Sequence, residues 1–406
     1  MFQNIKVAIF LQICGMTGDG VYFHTKVPEK LELALKKKVF TNYDPAHKVA
    51  LVDVELRSGK RKWSVNFKWL IEQTIVVGKG VALVAWGKVW SLFVEICLEL
   101  QEDPDCVFTK MLRPTRFNEI KFAHHAHEVY EKCRHNFNPM VRLLETLKEA
   151  GLGGSADQKK KAQDADEIQG KILNWMFCLS LSMIIDVYKV SGQVSCCVQK
   201  IDVLPHEKFD SFQQLLDTYK SMASRVSVES CPCNQLNLDE EGWQKLLQED
   251  SKICAWPTFH WDVSTALKLG TYQGVNLGMV RPEERHTRRG ADVNNEWLQV
   301  DIGEVVNRVE KRAVELVNFV EEMMKEKVYS KSDIEAVQHT RTLLDIRVIA
   351  EKARDQGVVT ASGLLHFRPF QKAALFFEPN LEDRLDQEDF RLQWGVFNQV
   401  IVQLLW

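Results

Sequence analysis

The sequence predicts a mainly helical α+β protein. It reads as a small α/β unit over residues 1–112, a long all-helical region over 113–330 and a helical segment over 331–406. Three observations lead there. An apolar run with little alternation at Lys6–Cys14 has the look of a strand covered on both faces. Apolar residues then recur at helical spacing through most of the later chain. The Gly/Lys/Asp-rich stretch Gly151–Asp166 separates segments too long and too apolar to be strands.

The 406 residues can bury a large core and suit two or three domains. A net charge of -3 is wrong for a chain that coats nucleic acid unaided, so weak, non-specific DNA contact is the most expected. The ten cysteines are irregularly spaced, and the close pairs Cys196-Cys197 and Cys231-Pro232-Cys233 lack the C-x2-C spacing of a zinc knuckle. They read as reduced, buried hydrophobes, and no metal or other cofactor is expected.

In chain order, Lys6–Cys14 reads as a buried strand rather than a leader, since its charged region is thin and no small-residue cleavage site follows. Gly15 opens a tight turn carrying Asp19. Pro28 starts a helix over Glu29–Lys38, acidic first and closed by Lys36-Lys37-Lys38, which suits the helix dipole. Asp44-Pro45-Ala46-His47 opens the next helix, with Val49, Leu51, Val52 and Leu56 on its apolar side. Gly59–Lys62 is a basic turn. Phe67–Leu100 should form two elements, because Gly78 and Gly80 interrupt it.

Pro114-Thr115-Arg116-Phe117 precedes a helix bearing His124, His125 and His127. Without a Cys or carboxylate at ligand spacing, these read as solvated or capping histidines. Gly151–Asp166 should be a loop, followed by a helix from Glu167 to Val190. Its apolar run Ile172–Ile185 is too short to span a bilayer, so it is a core helix. Phe209–Arg225 and Trp243–Leu247 are helical, and Trp256, His260 and Trp261 mark a buried aromatic corner. Arg281–Gly290, with Arg288 and Arg289, is the most basic stretch, offset by Glu283 and Glu284. Asp301–Val328 carries the clearest helical stripe. Ser332 and Glu335 form a capping box for a helix running to Gln356, before Gly357. Leu364–Trp406 reads as helix packing against the body.

The order of these pieces is distinctive: a strand, Asp19-Gly20-Val21-Tyr22, a basic-ended helix, Asp44-Pro45-Ala46-His47, then Pro114-Thr115-Arg116-Phe117 before a long helical region. Over about residues 5–230 it resembles the hAT superfamily of DNA transposases, in particular vertebrate transposase-derived proteins of the zinc finger protein 862-like group. The resemblance implies a partial ribonuclease H-like unit over 1–112 followed by a helical insertion-type domain over 113–330. It places Asp19 at the second acidic metal ligand, His47 at the family's histidine and Arg116 at the insertion-domain arginine. The first catalytic Asp and the DNA-recognition finger have no counterpart here, and a final Glu could be Glu296, Glu351 or Glu378.

Two-metal phosphoryl transfer needs several converging carboxylates, which a single Asp cannot supply. Asp19 and His47 are therefore expected to be relics, with Asp44, Arg116, Arg288 and Arg289 as further positions of interest. The expectation is a truncated, catalytically inactive, transposase-derived protein of the nucleus that acts by self-association or through protein partners, with no membrane. Two alternatives stay open: an unrelated helical cytosolic scaffold, and a fragment of an active transposase requiring Mg2+ or Mn2+.

Overall fold

The structure, a computed structural model, describes residues 15–18, 26–35, 40–43, 45–58, 66–85, 87–104, 106, 108–117, 123–199, 203–231, 238–249, 253–277 and 301–345. The described residues are mostly helical, as the sequence indicates. They fall into two compact units, one comprising residues 1–48, 197–214 and 324–406, the other residues 49–196 and 215–323.

In the first unit, β1 (Gly15–Gly18) and β2 (Phe40–Tyr43) pair in parallel, Gly15 opposite Phe40 and Gly18 opposite Tyr43. Helix α1 (Val27–Leu35) connects them, because parallel neighbours need a crossover. Gly15–Gly18, expected to be a turn, is therefore strand. Glycine weakens a strand by its backbone freedom, so it is the ladder to β2 that fixes the extended backbone here. Lys6–Cys14 and Lys36–Lys38 lie outside the described residues. Helix α2 (Pro45–Ser58) begins as the sequence indicates, with Pro45 in its first turn where a missing N–H costs nothing.

The C-terminal part of this unit is α13 (Lys331–Leu344), which follows α12 (Ile302–Lys327). Its capping box is Ser330 with Asp333, not Ser332 with Glu335. Asp333 also accepts from Lys48 Nζ at 3.3 Å, and that contact selects the register. The helix ends at Leu344, short of the predicted Gln356, because Asp345 turns to extended backbone. Tyr329 packs on Phe209 and Phe212 at centroid distances of 5.0 and 5.1 Å.

The second unit is built on α8 (Trp175–Gln199), whose residues from Cys178 to Tyr188 are almost wholly buried. By length and composition this helix could cross a membrane, but 89% of its apolar window is buried within the protein, so it serves as a core helix. The same unit holds α3 (Lys68–Val84), α4 (Gly87–Glu102), α5 (Ala123–His135), α6 (Phe137–Gly151) and α7 (Ala156–Ile172). The expected break in Phe67–Leu100 comes between Val84, the last residue of α3, and Gly87, which takes φ +38, while Gly78 and Gly80 stay inside α3. A Cβ added at Gly80 would meet the Met140 side chain at an ordinary 3.8 Å, so the packing there does not require glycine.

The predicted loop Gly151–Asp166 is largely helix α7. Ser155 and Gln158 form a capping box, Asp157 pairs with Lys161, and Ala165, Ile168 and Ile172 are buried. The α6–α7 connection is tight: a Cβ on Gly151 would sit 2.2 Å from that of Ala162, so only glycine allows the approach.

Helices α9 (Pro205–Ser224), α10 (Glu240–Glu249) and α11 (Pro257–Leu269) complete the middle of the chain. A small hairpin interrupts the region predicted as all helix: β3 (Thr271–Tyr272) and β4 (Val275–Asn276) join through Gln273-Gly274, both at positive φ, as a two-residue hairpin turn requires. The α12 stripe of Val305, Val306, Val309, Ala313, Leu316, Val317 and Val320 is buried as its periodicity demands.

Candidate functional site

The positions singled out by sequence fare unequally. His47 lies half-buried in the first turn of α2. Asp19, Asp44, Arg288, Arg289 and the three candidate glutamates lie outside the described residues. Arg116 is exposed, and its carbonyl is 2.9 Å from His125 Nε2. Its neighbour Phe117 lies between the Arg57 guanidinium, 5.2 Å from the ring centroid, and Tyr130, edge-on at 5.1 Å. The Thr-Arg-Phe segment is thus clamped to α2 and α5.

Only His124 of the histidine trio is solvated; His125 and His127 keep 13% and 14% of their side chains exposed. This corrects the solvated reading for His125 and His127, which lie on different sides of α5 and are each largely covered. Burial pulls the His127 pKa below its ordinary value, outweighing the pull of Glu131 in the other direction. A His with a depressed folded pKa stabilises the fold above its unfolded value of about 6.5 and loses that contribution as pH falls through and below it. His127→Gln is therefore expected to shrink the drop in urea midpoint between pH 7 and pH 5. An identical drop in both proteins would contradict it.

Buried acids hold the helices together. Asp53 receives Arg57 Nη2 at 2.8 Å along α2. Asp262 receives Arg134 through Nε at 2.6 Å and Nη2 at 2.5 Å. Asp186 on α8 caps α11, accepting from the amides of Thr258 and Phe259 at 3.1 and 2.9 Å. A carboxylate at those orphan N–H groups complements the helix dipole. A cleft between α3 and α5–α7, lined by Val76, Val81, Met140 and Ile172, offers about 20 Å³, room for little more than one water.

The arrangement with most chemistry lies at the predicted aromatic corner. A short 3-10 turn, Val228–Ser230, closes with the Cys231 amide on Val228 O and delivers the Cys231 thiol inward. Cys254 arrives two residues before Trp256, and His260 occupies the first turns of α11. Cys231 and Cys254 Sγ are 3.8 Å apart, Cys254 Sγ is 3.4 Å from His260 Nδ1, and all three ligand atoms lie within 4.8 Å of one another. Each residue is no more than 5% exposed. His260 Nε2 is 2.9 Å from Val226 O. An Nε2–H donor to that carbonyl leaves the Nδ1 lone pair aimed at Cys254. Trp243 is fully buried against both thiols, with Leu246, Leu247 and Trp261 packed around.

No family model, curated protein or solved structure matches this chain.

Sequence reading noted Cys231 and His260 separately and did not join them to Cys254. The spacings Cys231–Cys254 and Cys254–His260 belong to no compact ligand motif, and only the turn at Val228 and the start of α11 bring them together.

Proposed function

We propose that the chain is a catalytically silent helical scaffold of the nucleus, derived from a hAT-type transposase and working through self-association or protein partners. Two features support the ancestry. The β1–α1–β2 unit is parallel, and α2, bearing His47, starts directly after β2, as the edge of a ribonuclease H-like sheet with its histidine helix would require. The clamped Thr115-Arg116-Phe117 segment then leads into helices in the order of an insertion domain.

One observation carries the silent part. The buried carboxylates among the described residues are committed to structural partners: Asp53 to Arg57, Asp262 to Arg134, Asp333 to Lys48 and the Ser330 amide, Asp186 to the start of α11. Two-metal phosphoryl transfer instead needs acids converging on ions about 3.5–4 Å apart. DNA contact is at most weak and non-specific, and neither Mg2+ nor Mn2+ has a catalytic role.

The test incubates the full chain with Mn2+ and supercoiled or linear duplex, alongside sedimentation over a concentration series. The expected result is no strand cleavage above background and a sedimentation coefficient that rises with concentration. Mn2+-dependent cleavage that disappears in Asp19→Asn or His47→Ala would overturn the reading in favour of an active enzyme.

A further inference from the structure

We propose that Cys231, Cys254 and His260 form a structural zinc site, a metal where the sequence alone suggests none. The inference does not depend on the proposed function.

The geometry is the first argument. In a tetrahedral site with Zn–S near 2.3 Å and Zn–N near 2.0–2.1 Å, two ligating sulfurs stand about 3.8 Å apart and sulfur stands about 3.6 Å from nitrogen. The observed separations are 3.8 Å for Cys231 Sγ to Cys254 Sγ and 3.4 Å for Cys254 Sγ to His260 Nδ1. A disulfide would bring the sulfurs to about 2.05 Å, so the two thiols are spaced for a shared ion rather than a bond to each other.

The outer contact is the second argument, and it is independent of the first. A metal-bound histidine characteristically donates its other ring N–H to a carbonyl or carboxylate, which fixes the tautomer and aims the ligating nitrogen. His260 Nε2 is placed to do this with Val226 O at 2.9 Å, and its Nδ1 faces the sulfurs. Two thiolates and an imidazole are a donor set that selects zinc over the hard cations magnesium and calcium.

Burial is the third argument. The three ligands are 2%, 5% and 2% exposed and lie under Trp243, so solvent access is that of a structural rather than a catalytic centre. Among the described residues no other group of His, Cys and acidic side chains converges in this way. The ion would tie the 3-10 turn at Val228, the segment before Trp256 and the start of α11 into one corner. Free energy of metal binding would then be free energy of folding for that corner. These side chains supply three of the four tetrahedral positions.

The test uses the full chain purified under reducing conditions, stripped with a chelator and titrated with Co2+. Saturation is expected at one Co2+ per chain, with a thiolate-to-cobalt charge-transfer band and the intense visible bands of tetrahedral cobalt. One equivalent of Zn2+ should bleach both and raise the thermal midpoint. Cys254→Ser and His260→Ala should weaken binding by at least the roughly 10–100-fold seen when even an outer-shell partner is lost. Cys196→Ser, at an exposed cysteine away from the cluster, should bind as the parent does. Because the ligand variants could misfold, the parent protein decides. Absence of the charge-transfer band there, or a band undiminished in a folded Cys254→Ser, would show that the cluster is only a hydrogen-bonded Cys–His group.

Discussion

Asp262→Ala is expected to cost about 3–5 kcal/mol of stability, because it removes the carboxylate that pairs with the largely buried Arg134 inside the second unit. The pair is bidentate and nearly dry: the Asp262 side chain is 2% exposed and that of Arg134 15%. Asp262 also accepts from Ser182 Oγ at 2.5 Å and Gln273 Nε2 at 3.1 Å, so one carboxylate joins α5, α8, α11 and the β3–β4 turn. Ser182 passes the network to the Tyr272 hydroxyl at 3.0 Å. Burial, reinforced by the Asp262 charge, pushes the Tyr272 pKa far up, so Tyr272 stays a neutral partner.

The loss should come from removing the counter-charge of a largely buried cation, and a second variant separates that from the strength of the ion pair itself. Removing both charges with Asp262→Leu and Arg134→Met should recover most of the stability, since well-packed apolar replacements of buried pairs are often neutral or better. Urea unfolding of the three proteins reads this directly. A loss below about 1 kcal/mol in Asp262→Ala, or a double variant worse than the single, would mean that the network is solvated.

What could be read from the sequence depended on whether the decisive contacts were local. The α12 stripe was legible because every buried position recurs on one face of one helix, and burial follows periodicity. The start of α2 was legible because Pro45 punctuates the chain at the point where it turns. Helix α7 was not. Its first half is polar and exposed, so its composition resembles a linker; the Ser155–Gln158 capping box starts the helix locally, but the burial of Ala165, Ile168 and Ile172 shows only in the folded unit.

The capping box of α13 shows the same limit in one pair of residues. Ser330-x-x-Asp333 and Ser332-x-x-Glu335 are equivalent locally. Lys48, 285 residues away in the chain, decides between them by reaching Asp333. The Cys231–Cys254–His260 cluster is the functional counterpart. Its ligands come from a 3-10 turn, an irregular segment and a helix, and no spacing rule joins them before the chain has folded.

Trp256→Ala should be as damaging as the Asp262 change, about 3–5 kcal/mol, but for a packing reason. Trp256 is fully buried, lies edge-on to Phe259 with centroids 6.3 Å apart, and donates from Nε1 to Met222 O at 2.8 Å. Alanine empties a tryptophan-sized space that α9 and α11 are too firmly anchored to fill: Asp186 holds the start of α11, and Ser191 Oγ is 2.7 Å from the Tyr219 hydroxyl on α9. Trp256→Phe keeps most of the apolar volume and loses one hydrogen bond, while Met222 O still accepts from the Arg225 amide at 3.3 Å, so its cost should fall to about 0.5–1.5 kcal/mol. Tryptophan fluorescence cannot follow both variants fairly, so far-ultraviolet circular dichroism in urea is the appropriate probe. Equal losses for Phe and Ala would show that the indole hydrogen bond, rather than the volume, holds this corner. Losses below about 1 kcal/mol for both would show that α11 can shift to close the gap, and that the spacing of Cys254 and His260 does not depend on the residue between them.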